Sequence, residues 1–235
     1  MMFWRRRSKG ELHTVPRWPS DPDARKALAH YLDRLPTDPA VPRTTEMLFN
    51  GWGLDLGGSD LSGLDLGGAE LGEARLTGVR LVDTDLYGAW MLSTDLSGAD
   101  LTGADLGKAQ ARDCTLREAR LHGARLMKAD FATSDFHRAD LTGADLRRAT
   151  FGDTDFRGAS LREARMDNAS FRGARLAGCE VAGAVGAIGG PVDVGEHSPQ
   201  WLDGAALASW FAASGAPGVT VRSLHREIET TPERG

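Results

Sequence analysis

A large apolar residue recurs at every fifth position from Leu56 through Leu61, Leu66 and Leu71 to Val181, and the register never slips. Leu or Phe fills 22 of these 26 positions, the others being Met91, Ala111, Met166 and Val181, so the period belongs to the whole stretch rather than to a few motifs. A second set lies two residues earlier, at positions 54 to 179. Ala holds 16 of its 26 sites and Ser, Thr or Cys seven more, with Leu54, Leu64 and Val79 as exceptions, which marks it as a site for small side chains. A helix face repeats near 3.6 residues and a strand face near 2, so a strict five matches neither. The pattern predicts a chain that turns every five residues. Glycine at positions 58, 63, 68, 78, 88, 98 and 103 also speaks against a long helix, at a cost of about 1 kcal/mol each in a helix interior.

The order is a small residue, often Asp, then Leu or Phe, then two polar residues. Stretches such as Ala99-Asp100-Leu101-Thr102-Gly103 and Ala139-Asp140-Leu141-Thr142-Gly143 resemble the pentapeptide-repeat family. That resemblance implies an all-β solenoid, a right-handed quadrilateral β-helix in which four pentapeptides make one square coil of about twenty residues. It also implies that the large residue and the small one point inward and the other three outward. Residues 54–185 would then form about six to seven coils, a rod on the order of 30 Å long at the usual strand spacing. Open solenoid ends need caps. Residues 1–53 are assigned to an N-terminal tail and helical cap, and 186–235 to a C-terminal helix/strand cap. In the first, Asp21-Pro22-Asp23 reads as a helix start, with Ala24, Leu28, Tyr31, Leu32 and Leu35 on one stripe, and Trp18, Phe49 and Trp52 are expected at the cap junction. In the second, Gly189-Gly190-Pro191 ends the repeat, a helix is expected from about Leu202 to Ala213, and Val219 to Leu224 alternates like a strand. The family's quinolone-resistance branch is similar in having a C-terminal module through which two rods meet end to end. Trp201, Trp210 and Phe211 would be the homodimer anchors; a monomeric cap burying the same aromatics is the alternative.

With a twenty-residue coil, residues twenty apart stack, so outward columns can be read from the sequence. Asp60, Arg80, Asp100, Arg120 and Asp140 alternate in sign and read as a structural column. Lys108, Lys128 and Arg148 stack like charges, as do Arg117, His137 and Arg157; these either meet an acidic partner or are neutralised by neighbours such as Asp130 and Asp155. Tyr87, Trp90 and Leu92 form an outward apolar cluster, either a contact surface or a seat for the N-terminal segment. The chain of 235 residues carries a formal charge of −5, which disfavours a basic nucleic-acid binder. The charge is unevenly placed: residues 54–105 hold ten acids against Arg75 and Arg80, whereas 106–184 hold eleven acids and fourteen bases. Resistance members of the family are thought to imitate duplex DNA on type II topoisomerases. The acidic end, with Asp55, Asp60, Asp65, Asp85, Asp95, Asp100 and Asp105 outward, resembles such a surface, and the basic half departs from it.

No catalytic constellation emerges. The six histidines lack metal-ligand spacing, and no nucleophile elbow, phosphate loop or H-E-x-x-H is present. The many Asp residues recur because the repeat favours Asp, and convex walls supply no cleft. Cys114 and Cys179 sit at small inward sites roughly 15 Å apart along the rod, beyond disulfide reach. No cofactor and no metal are expected. The N-terminal cationic segment with Arg5, Arg6, Arg7 and Lys9 lacks the apolar run of a secretory signal and reads as a frayed tail, and no stretch reaches the roughly 20 apolar residues of a spanning helix. The expectation is a cytoplasmic, non-enzymatic rod whose partner is a protein, with DNA gyrase as one candidate and a partner-binding scaffold or immunity protein unrelated to topoisomerases as the alternative. Direct nucleic-acid binding and membrane binding are not expected.

Overall fold

The computed structural model describes residues 15–35 and 44–222. Within them, residues twenty apart pair in parallel along four columns, giving four walls. The first wall runs Asp55, Arg75, Asp95 and onward; the second Asp60, Arg80, Asp100; the third Asp65, Asp85, Asp105; the fourth Asn50, Glu70, Trp90. The wall bonds join successive coils: Leu56 N–H donates to the Arg75 carbonyl at 2.8 Å, and Arg75 N–H to the Leu54 carbonyl at 2.9 Å. Corners are closed by bonds such as Ser59 N–H to the Leu56 carbonyl at 3.2 Å, with Cys114 N–H donating instead to the Ser134 hydroxyl at 3.1 Å, and the second central residue has positive φ, as a type II turn requires. Glycine suits that site, yet Lys108, Lys128, Arg148 and Asn168 occupy it with φ between 57° and 63°.

Inward residues obey the five-residue pattern closely. Every large site from Leu56 to Val181 is at most 1% exposed. Phe131, Phe136, Phe151, Phe156 and Phe171 fill the later coils as an aromatic stack, with Phe136 and Phe156 rings 5.0 Å apart. Polar side chains at the small sites are satisfied by backbone. Thr94, Cys114, Ser134 and Thr154 lie twenty apart on one inner corner and donate to the carbonyls of Leu71, Met91, Ala111 and Phe131. A hydroxyl or thiol is tolerated there because it finds an acceptor one coil below.

At the N-terminal end, helix α1 spans Pro22–Arg34, with the Asp21 side chain accepting from Ala24 N–H at 2.7 Å. It buries Ala24, Leu28 and Tyr31, and the Tyr31 ring lies 5.5 Å from Phe49 while its hydroxyl donates to the Asp65 carbonyl. Ahead of it, Asp60 N–H donates to the Arg17 carbonyl at 2.8 Å, and a short 3-10 turn follows at Thr45–Met47. Coiling begins at Phe49 rather than at residue 54, since Asn50 already pairs with Glu70. The inward roles are exchanged in this first repeat: Phe49 takes the small site, and a Cβ on Gly51 would stand 2.7 Å from its ring. Trp52 departs from the expected cap junction. It is 49% exposed and its ring covers Gly72 of the next coil, whereas Phe49 is buried and Trp18 half-buried.

At the C-terminal end the ladder runs past 185 to Asp193 by shortening. Met166 N–H reaches the Val185 carbonyl, Phe171 N–H that of Gly189 and Leu176 N–H that of Asp193, so the last coil loses two residues. Strands β1 (Ala169–Ser170), β2 (Val185–Gly189), β3 (Val192–Asp193) and β4 (Trp201–Leu202) precede helix α2 (Gly204–Ala213) and strand β5 (Gly218–Arg222). The order is β1-β2-β5, all parallel, with β3 and β4 antiparallel beside them. Helix α2 starts two residues later than expected because Trp201 and Leu202 pair with β3 and Asp203 caps Gly204 N–H. Ser223 and Leu224 of the expected strand lie outside the described residues, as do Arg5, Arg6, Arg7 and Lys9.

Candidate interaction surfaces

The residue before each large site is where Asp recurs, and the structure shows why. One carboxylate oxygen accepts the N–H two residues on: Asp55 from Gly57, Asp85 from Tyr87, Asp100 from Thr102, Asp105 from Gly107. These are Asx turns that support each corner. The second oxygen is left for neighbours. Asp55 meets Arg75 at 3.3 Å, Asp60 meets Arg80 at 3.2 Å and Asp105 meets Arg125 at 2.7 Å. Asp60 is only 6% exposed and bonded on both sides, so it belongs to the wall and not to an exposed acidic surface. Asp95 takes hydrogen bonds from Ser97 and Thr77. Burial disfavours ionisation of Asp60 and Asp95, but these bonds, with the Arg80 and Arg75 charges, outweigh it and hold both carboxyls below their ordinary value. Asp65, Asp85 and Asp105 stack on the third wall as three successive carboxylates.

The two basic columns differ. Arg117 pairs with Asp135 and Arg157 with Asp155, each at 2.5 Å, so lateral acids neutralise that ladder, and Asp155 is held below the ordinary carboxylate range by the same contact against the cost of its burial. His137 stands between them with Nδ1 buried and unpartnered. Lys108 lies over the Tyr87 ring, 5.2 Å from its centroid, while Lys128 and Arg148 make no ion pair among the described residues.

Trp90 and Leu92 are 60% and 45% exposed; Tyr87 is half-buried, its ring 3.0 Å from where a Cβ on Gly107 would stand. Trp52, expected at the cap junction, is exposed as well: it shares a corner column with Leu92, as its spacing of forty residues implies. At the other end the three expected dimer anchors separate. Phe211 is 1% exposed and belongs to the cap core, Trp210 is partly buried against Phe211 at 5.0 Å, and Trp201 is 53% exposed. Cys114 and Cys179 are free thiols; burial pushes Cys114 up to about 12 and raises Cys179 as well. Among the described residues no group of three or more His, Cys, Asp or Glu is placed to hold a metal, and no helix is long and apolar enough to cross a membrane.

Solved structures of similar proteins include trypsin-treated QnrB1, a plasmid-mediated fluoroquinolone resistance protein, at 16% identity over 78% of this chain and 88% of that one, with a TM-score of 0.49. HetL, a pentapeptide-repeat protein involved in heterocyst differentiation regulation from the cyanobacterium Nostoc sp. strain PCC 7120, is 23% identical over 65% of this chain and 90% of its own, with a TM-score of 0.21. A pentapeptide-repeat protein of the Arabidopsis thaliana thylakoid lumen is 28% identical over 47% of this chain and 75% of its own, with a TM-score of 0.34. No curated protein sequence matches significantly. The family described as pentapeptide repeats matches in eight copies, over residues 55–91, 94–132, 120–153, 134–173 and 151–185. Its members wind as right-handed quadrilateral β-helices and serve generally as non-enzymatic structural or interaction proteins. The four-walled coil and its five-residue inward pattern agree with this family match, and the chain belongs to the pentapeptide-repeat family.

Proposed function

We propose that the protein is a cytoplasmic, non-enzymatic rod whose acidic N-terminal coils bind DNA gyrase or another type II topoisomerase in place of duplex DNA, giving resistance to topoisomerase poisons. One observation carries this reading. Residues 54–105 hold a net charge of −8, and they occupy about 2.6 coils, or roughly 12 Å of rod. That is one negative charge per about 1.5 Å, against one per about 1.7 Å along duplex DNA. The density falls away after residue 105, where the net charge becomes positive, so the imitation is confined to one end. Exposure of Trp201 and Val185 at the opposite end supports pairing of two rods there, with Phe211 internal to each cap.

The test is a gyrase supercoiling assay at low and high salt, with and without a quinolone. Replacing Asp65, Asp85, Asp95 and Asp100 by Asn removes charge while keeping an acceptor for each turn. The wild type is expected to inhibit supercoiling or relieve the drug in a salt-sensitive way, and the variant to lose at least tenfold in effect. Equal activity of the two, or no effect of the wild type at about 50 μM, a weak-binding concentration, overturns the reading. Sedimentation of the full chain and of Trp201→Ser tests the pairing: a dimer that dissociates in the variant is expected.

A further inference from the structure

The fourth wall, with its two corners, differs from the other three along its length. Its early coils present Trp52, Trp90 and Leu92, three of the five exposed large hydrophobic residues among those described. Its later coils present Lys108, Lys128 and Arg148 along one edge, and on the opposite corner Arg112 and Arg172 likewise make no ion pair among the described residues. The middle of the wall between them is short and mostly uncharged: Gln110, Asp130, Thr150 and Ser170. Lys128 and Arg148 stack as like charges without an ion pair among the described residues, whereas Arg117 and Arg157 of the other basic column are each neutralised at 2.5 Å.

The wall also restricts what can lie on it. Its N–H and C=O groups are spent between coils, so a partner cannot add a strand from the side and must satisfy its own backbone. A helix does so. The wall is about three extended residues across, near 10 Å, which is the width of a helix with its side chains. Cations climb it at about 4.8 Å per coil, and a helix presents one ridge residue per turn of about 5.4 Å, so over three coils the two ladders drift by only about 1 Å. Asp130 in mid-wall, with Asp113 and Asp153 on the far corner, opposes a uniformly anionic polynucleotide, whereas a helix can keep its acids on the ridge facing Lys128 and Arg148. We infer that the fourth wall is a docking site for an amphipathic helix of a partner protein, apolar toward one end against Trp52, Trp90 and Leu92 and acidic toward the other against Lys108, Lys128 and Arg148. The residues replaced to test this site differ from the aspartates replaced to test topoisomerase binding, so the two readings stand or fall separately.

The probe is a fluorescent synthetic helix of about 18 residues, roughly 27 Å long, with Leu and Phe on one ridge of its first half and Glu on the neighbouring ridge of its second, since the apolar and basic residues border opposite sides of the wall. Fluorescence anisotropy is read with the full chain, alongside a counterpart peptide with Lys for Glu and an oligothymidine. Binding of the acidic helix at about 50 mM salt with a Kd of tens of micromolar is expected, weakening as salt is raised. Lys128→Glu with Arg148→Glu should weaken it at least tenfold and remove the salt dependence. Trp90→Ser with Leu92→Ser should weaken it equally and leave the salt dependence intact, with unchanged circular dichroism in both variants. No binding up to about 1 mM, indifference to both pairs of substitutions, or tighter binding of the oligothymidine or the Lys peptide overturns the assignment.

Discussion

Aspartate before each large residue has a local task that comes ahead of any partner: one oxygen holds the turn, and the other is left for an arginine, a hydroxyl or solvent. Burial works against the ionised forms of Asp145 and Asp155, yet hydrogen bonds and charge from Arg147 and Arg157 prevail and keep both carboxyls below the ordinary value. In the unfolded chain they titrate near 3.9, so the folded state binds fewer protons in that range. The stabilisation is therefore complete above about pH 5 and lost as pH falls below about 4 through the folded-state values. Asp145→Asn with Asp155→Asn is expected to lower Tm at neutral pH and to flatten its decline between about pH 5 and 2.5, read by circular dichroism melts. The corners make a separate claim. Gly98 has φ 64° and open space where a Cβ would sit, so Gly98→Ala isolates the backbone cost and should lose about 1 kcal/mol in a denaturant titration. At Gly103 a Cβ would meet the Asp83 carboxylate as well, and Gly103→Ala should lose more.

Caps and coils are held by different means. Coils repeat one bonding scheme, whereas the C-terminal cap adds β5 to β2 from 33 residues away and closes the crossover with α2. Phe211→Ala should cost about 3–5 kcal/mol and release this unit. Hydrogen exchange at residues 218–222 is expected to quicken, and the bared edge of β2 to promote association in light scattering, as unpaired edges do. The same contrast explains what could be read beforehand. Five-residue spacing revealed every inward residue from Leu56 to Val181, because one physical demand, burial inside the coil, recurs at every wall. The polar ladder of Thr94, Cys114, Ser134 and Thr154 was equally present at a spacing of twenty. Phe49 and Gly51 hid the first repeat by exchanging large and small, and no spacing links Val185 to Gly218. Among site residues, Trp90 and Leu92 were legible from their outward phase, while the burial of Asp60 and Phe211 depended on Arg17, Arg80 and the cap packing.

At the scale of the molecule, charge is graded along the rod, and three of the five exposed large hydrophobic residues among those described stand on one wall and its corner. Twenty residues per coil and five per wall carry a further consequence. Each end rests on its own coil, so repeats added in the middle leave both caps undisturbed. Duplicating residues 124–143 should lengthen the molecule by about 4.8 Å and leave Trp201 above the wall it now occupies. Duplicating 139–143 alone should instead swing the C-terminal end by a quarter turn about the long axis, an angle readable from distances between spin labels at the two ends. Length and angular phase are thus two separate dials: the number of repeats divided by four sets how far apart the ends stand, and the remainder sets which way each end faces.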